Sequence, residues 1–146
     1  MMEYSMFAKS KFLDVNKESN SIDYLHGCLK FGDVHQDFLY EFVKFICPEF
    51  LIYEGKVYFK ETFSEAKYEN LKSTGRTGAE VQYWLNLVEL TSVFENYSFE
   101  FVSSIGREIE NNWQRVLDTS FPDSGTKVKL LVNEKDFEVL VTLKQK

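Results

Sequence analysis

Between Ser98 and Leu117 the apolar residues Val102, Ile105, Ile109, Trp113, Val116 and Leu117 recur at steps of three and four. Glu100, Glu108, Glu110, Asn111, Gln114 and Arg115 occupy the positions between them. This period predicts a long amphipathic helix with one apolar stripe, stopped by Phe121-Pro122-Asp123-Ser124-Gly125. Such a stripe has to be covered, and the residues that follow are suited to cover it. Val128, Leu130 and Val132 alternate with Lys127, Lys129 and Leu131, and Phe137, Val139, Val141 and Leu143 alternate with Glu138, Leu140 and Thr142. A period of two means strands, and Asn133–Asp136 joins them as a hairpin loop.

The preceding residues add a second hairpin and more helices. Phe50–Tyr53 and Lys56–Phe59 are β-rich runs separated by Glu54-Gly55, where glycine supplies the positive φ of a tight turn. Ile22, Leu25 and Leu29 share a helical face, with Ser21 able to cap and Gly32 able to stop a short helix. Asp33 and Gln36 form a capping pair ahead of Phe38, Leu39, Phe42, Val43, Phe45 and Ile46, and Pro48 ends that helix. Thr62 with Glu65 predicts a helix through Ala66, Tyr68 and Leu71 that stops near Gly75. Thr77 with Glu80 predicts another over Ala79 to Phe94, buried on much of its circumference, because apolar residues fall on both sides. A strand through Val81, Tyr83, Leu85 and Leu87 fails at Val88-Glu89. Residues 1–20 keep no sustained period, and Asn16–Ser21 read as a polar turn. Helices and hairpins alternate without a strand–helix–strand rhythm. The expected fold is therefore α+β: a single domain over 1–146, its antiparallel sheet of about four strands covered by helices on one face.

Composition narrows the function. The 24 aromatics among 146 residues, with only two prolines, suit a well-filled core and a single domain of the usual size of about 100–150 residues. A net charge of −6 disfavours phosphate backbones, so nucleic acid is not an expected partner. No signal-peptide stretch and no apolar run of membrane-spanning length is found, and two cysteines are few for a small secreted fold. Cytoplasmic residence is expected, although a Cys28–Cys47 disulfide stays open.

No constellation carries a catalytic signature. His26, Cys28 and His35 match no zinc spacing, and Cys28 and Cys47 sit where small apolar residues would serve. Asp14–Glu18 begins like a calcium loop, but Ser19 replaces its glycine and Leu25 its twelfth ligand. Glu61, Glu65 and Glu69, at i, i+4 and i+8, would share a helical face and leave open a small enzyme working through carboxylates. Gly75-Arg-Thr-Gly78 ahead of a helix start leaves open an anion site. No metal, cofactor or catalytic residue is expected.

The charge distribution is more informative. Residues 33–123 hold sixteen acidic and eight basic side chains, a net of −8, whereas 1–32 are neutral and 124–146 carry +2. Glu89, Glu95, Glu100, Glu108 and Glu110 face only Arg107 within 89–110. Such a surface attracts a basic partner by long-range steering, and Tyr97 and Phe99 lie among the acids as possible anchors. The expected partner-binding residues are Glu89, Glu95, Tyr97, Glu100, Glu108 and Glu110.

At Tyr83-Trp-Leu-Asn-Leu-Val-Glu-Leu90, Phe94, Trp113 and Phe121-Pro-Asp123, the chain resembles small bacterial proteins of unassigned function. They combine an aromatic-rich helix, a Trp-bearing amphipathic helix, a Phe-Pro-Asp turn and a C-terminal hairpin. In size, acidity, aromatic richness and lack of a catalytic set the whole chain is similar to bacterial immunity proteins, including those of contact-dependent growth inhibition systems. That likeness implies a non-enzymatic protein that neutralises a cognate toxin domain, often a basic nuclease, by covering its active site or a neighbouring surface. The rival readings are a self-associating structural or adaptor protein and the carboxylate enzyme.

Overall fold

The computed structural model describes residues 20–145, which form six helices and five strands. The Asp14–Glu18 segment and most of the polar turn expected over 16–21 lie outside the described residues. Contacts divide the chain into two compact units, residues 1–43 and 44–146.

In the first unit α1 (Ser21–Phe31) is capped by Asn20, whose side chain accepts from the Ile22 and Asp23 amides while Asp23 returns a bond to the Asn20 N–H. The cap therefore falls one residue before Ser21, because Asn20 and Asp23 complete a reciprocal capping box. Gly32 closes the helix as expected. The next helix, α2 (Gln36–Ile46), runs from this unit into the second and begins three residues after Asp33. Its first-turn acceptor is the His35 ring, which takes the Asp37 N–H at 3.2 Å, so the Asp33 capping pair does not form.

The second unit is α+β, but its strands form two antiparallel sheets in place of one sheet of four. In the first, β1 (Phe50–Tyr53) and β2 (Lys56–Phe59) pair through a two-residue turn in which both Glu54 (φ 49°) and Gly55 (φ 75°) are left-handed. This is the geometry that matches strand twist in a tight hairpin. In the second, β3 (Val88–Glu89), β4 (Thr126–Asn133) and β5 (Glu138–Gln145) lie in the order β3-β5-β4. Two helices, α3 (Glu65–Ser73) and α4 (Gly78–Leu85), follow the first hairpin, and the short α5 (Leu90–Val93) and long α6 (Phe99–Ser120) follow β3.

Strand alternation divides the interior. Val57 and Phe59 of β2 join the larger core, with Leu90, Val102, Ile109, Trp113, Leu117, Val128, Val139, Val141 and Leu143. Tyr58, between them, points to the other side and packs with Tyr68, Val81 and Leu85 in a smaller core. Trp113 holds the larger core together. Its ring meets Phe45, Phe50 and Phe59, and its Nε1–H donates to the Phe45 carbonyl at 2.7 Å. Gly106 lets α6 approach the sheet: a Cβ there would stand 3.0 Å from Leu130 and 3.3 Å from Val139. Helices cover both faces of β5 rather than one, since Thr142, on the side opposite Val141, donates its hydroxyl to the Tyr83 carbonyl of α4.

The helix expected over Ala79–Phe94 ends at Asn86. This fully buried amide accepts the Phe59 N–H at 2.6 Å and donates to the carbonyls of Val57 and Gln82. Gln82, one turn earlier, donates to Val57 and accepts the Gln145 N–H. The two amides thus satisfy the outer edge of β2, and the chain released at Asn86 is free to add Val88-Glu89 to β5. On α6, Glu110 and Gln114 repeat the device by accepting the Leu130 and Val128 amides at the edge of β4. An open strand edge invites pairing with another chain, and here helix side chains occupy part of each edge.

Ser64, not Thr62, caps α3, so the helix starts at Glu65 and Glu61 falls outside it. The expected three-carboxylate row is thereby reduced to Glu65 and Glu69. Cys28 and Cys47 carry free thiols, and Cys47 is exposed where a buried residue was expected; Pro48 takes the buried position instead. No helix of the described residues is long and apolar enough to cross a membrane.

Candidate partner-binding surface

The segment between α5 and α6 and the turn between β4 and β5 expose aromatic rings beside carboxylates. Ser98 caps α6 by accepting the Phe101 N–H, which fixes the first turn of that helix. On this base the Tyr97 ring stacks on Phe101 at 4.7 Å and 26°, and Phe94 meets both rings edge-on at 6.2 Å. Phe94, Phe99 and Phe101 are partly buried against the larger core, whereas Tyr97 is 60% exposed. Tyr97 is therefore a solvent-facing ring on a rigid aromatic footing.

Phe137 supplies a second such ring. Sequence alternation placed it as the first inward residue of a strand, but β5 begins one residue later and Phe137 stays on the turn. Its backbone is left-handed (φ 53°), its side chain is 69% exposed, and its ring meets the edge of Phe99 at 5.8 Å. Glycine or asparagine is the ordinary occupant of such a conformation, and a bulky side chain there costs about 1–2 kcal/mol. The turn is braced by Asn133 donating to Asp136 at 2.6 Å. Sequence reading missed Phe137 because a four-residue loop leaves it in phase with Val139; the sign available was its position directly after Asp136.

Of the acidic residues singled out, Glu95 and Glu100 are exposed on either side of Tyr97; Asp136 and Glu138, which were not among them, flank Phe137. Glu89 is exposed at the end of β3, opposite Leu140 in register. Glu108 is exposed on α6, whereas Glu110 is half-buried with its carboxylate on the Leu130 amide. Two helical positions are about 200° apart around the axis, so Glu108 and Glu110 lie on opposite sides of α6. The structure therefore groups Glu95, Tyr97 and Glu100, leaves Glu89 and Glu108 exposed elsewhere, and engages Glu110 in sealing a sheet edge.

The other candidates are dispersed. Among the described residues no three His, Cys, Asp or Glu side chains come together as a metal site. At the Gly75–Gly78 loop, Arg76 lies over the Trp84 ring at 5.4 Å, and the helix N-terminus is met by its own Glu80 carboxylate, which accepts the Thr77 N–H at 2.7 Å. No protein family, no curated protein and no solved structure matches this chain.

Proposed function

We propose that this protein is a non-enzymatic immunity protein of the bacterial cytoplasm that binds and neutralises a cognate toxin domain of basic character. The observation that carries this reading is the pair of exposed rings, Tyr97 and Phe137, each resting on partly buried phenylalanines and each flanked by carboxylates. Interface energy concentrates in a few well-supported aromatic anchors, and surrounding charge speeds encounter with a partner of opposite sign. The strain of holding Phe137 in a left-handed backbone conformation offsets what its contact with Phe99 returns to the fold, which fits a side chain retained for contact.

The test begins with the neighbouring genes: a toxin domain encoded there should bind this protein, which should protect against it, and the absence of any such binding partner would overturn the reading. The triple reversal Glu95→Lys, Glu100→Lys and Glu108→Lys should slow association and flatten its salt dependence. Tyr97→Ala and Phe137→Asn should each speed dissociation, at a cost of about 2 kcal/mol for an anchor. Phe137→Asn should keep stability within about 1 kcal/mol of wild type, because relief of strain offsets the lost contact with Phe99. Unchanged binding in all of these variants would remove the proposed surface.

Self-association has an observation of its own. Ile22, Leu25 and Leu29 on α1, and Phe38, Leu39 and Val43 on α2, are exposed apolar side chains. A constitutive oligomer in sedimentation, dispersed by charged substitutions at Leu25 and Phe38, would favour a structural or adaptor role over toxin inhibition.

A further inference from the structure

The fold defends every strand edge but one. β3 is only two residues long. β4 carries Lys127 and Lys129, and its outer amides are met by Glu110 and Gln114. The outer groups of β2 are taken by Gln82 and Asn86. Shortness, lysines and covering side chains are the usual defences of a sheet edge. β1 (Phe50-Leu51-Ile52-Tyr53) has no charge, no proline and a bulge-free register against β2.

The direction of its free groups follows from the ladder. The Phe59 N–H and the Val57 carbonyl point away from β1, onto the Asn86 and Gln82 amides. Their cross-strand partners, Phe50 and Ile52, therefore turn their own N–H and C=O groups outward, while Leu51 and Tyr53 bond β2. None of these outward groups has a hydrogen-bond partner among the described residues. Ile52 adds a side chain that is 56% exposed, on the same face as Phe50, Val57 and Phe59 of the larger core.

A second copy of β1 fits this edge with nothing left over. Laid antiparallel about a two-fold axis at Leu51, it sets Phe50 opposite Ile52 of the other copy, and Ile52 opposite its Phe50. Both become hydrogen-bonded pairs, so every free group of the edge is matched. The neighbouring registers fail. Centred on Ile52, the pairing would set Phe50 against Glu54, which is left-handed and belongs to the turn. Centred on Phe50, it would set Ile52 against Pro48, which has no N–H. The Leu51 register also lays the Phe50 ring of one copy beside the exposed Ile52 of the other, an aromatic and β-branched pair of the kind that stabilises sheets. Glu49, at the end of the run, is already paired with Lys60.

We propose that β1 is a self-association edge, through which two copies of this chain join their first hairpins into one continuous antiparallel sheet. The contact is small beside the roughly 1,600 Å² of a standard interface, so the dimer is weak and forms with rising concentration. It uses no residue of the Tyr97–Phe137 surface and none of the exposed apolar residues of α1 and α2.

Sedimentation velocity from about 10 μM to about 1 mM follows assembly, with amide hydrogen exchange read by NMR at both ends of the range. Wild type should pass from monomer to dimer, and exchange at the Phe50 and Ile52 amides should slow with it. The Leu51 and Tyr53 amides, bonded to β2, should be protected at both concentrations. Ile52→Lys replaces an exposed side chain, so it should keep the fold and weaken the dimer about tenfold or more. Leu25→Lys/Phe38→Lys should leave the dimer unchanged. Wild type that stays monomeric at about 1 mM would overturn the proposal, as would a dimer that survives Ile52→Lys or yields to the α1–α2 variant. Slow exchange at Phe50 and Ile52 already in the monomer would put another part of the same chain on the edge, and would overturn it too.

Discussion

Tyr58 shows how much can depend on one side chain that the sequence presents as ordinary. Its place in an apolar β-run was legible, but nothing in that run shows its fully buried hydroxyl, which lacks a hydrogen-bond partner among the described residues. Burial, with Tyr68, Glu54 and Tyr53 nearby, pushes the phenol up to about 12 from its ordinary 10. A raised folded-state value means that the unfolded chain ionises first. The neutral phenol's contribution is complete below pH 10 and is lost as pH rises toward 12. We expect Tyr58→Phe to match or exceed wild-type stability by up to about 1 kcal/mol at neutral pH, because it removes an unsatisfied buried group. Wild type should lose roughly 2 kcal/mol more than the variant between pH 10 and 12, measured by urea unfolding. The two left-handed non-glycine residues differ in the same respect: Glu54 is announced by the glycine after it, whereas Phe137 has no such neighbour.

Elements were legible where one period ran undisturbed. The long helix and both hairpins lie within a few residues of their expected bounds, since turn and stop residues mark their ends. Ala79–Phe94 was misread because apolar residues on all sides suggested one buried helix, whereas α4, β3 and α5 bury different sides against different neighbours. The stop signal is Asn86, and an asparagine announces itself as a helix stop only when the strand edge it serves is known. We expect Asn86→Leu to destabilise by about 2–3 kcal/mol, because the Phe59 N–H would stay buried without an acceptor; chemical denaturation measures this. The Thr77–Glu80 cap was readable and has a pH signature. Hydrogen bonding to Thr77 holds the Glu80 carboxyl below its ordinary 4.5, so its contribution is present above that value and lost as pH falls through the lowered one. The Tm of wild type should therefore fall more steeply than that of Glu80→Gln as pH is lowered from 5 to 3.

At the scale of the whole chain, the uneven charge seen in the sequence has a spatial form. The closing hairpin carries Glu134, Asp136 and Glu138 with Lys135 at its tip and Lys127, Lys129 and Lys144 toward its base, so its two ends differ in the sign of their net charge. The candidate surface was partly legible: Glu95, Tyr97 and Glu100 were named from charge and aromatic content, while Phe137 depends on where the turn ends and β5 begins. One consequence concerns the order in which a ribosome emits this chain. β5, the last of the three strands to be made, is the central one, and Val88 meets Val141 only after the 52 residues between them have been synthesised. Until then β3 and β4 have no common neighbour, and the apolar stripe of α6 can meet β4 and the first hairpin but lacks Val139, Val141 and Leu143. A chain ending at Asn133 should show helical circular dichroism without a cooperative thermal transition. Vectorial synthesis therefore defers closure of this sheet until β5 has been made, and the central strand, not the edges, completes it.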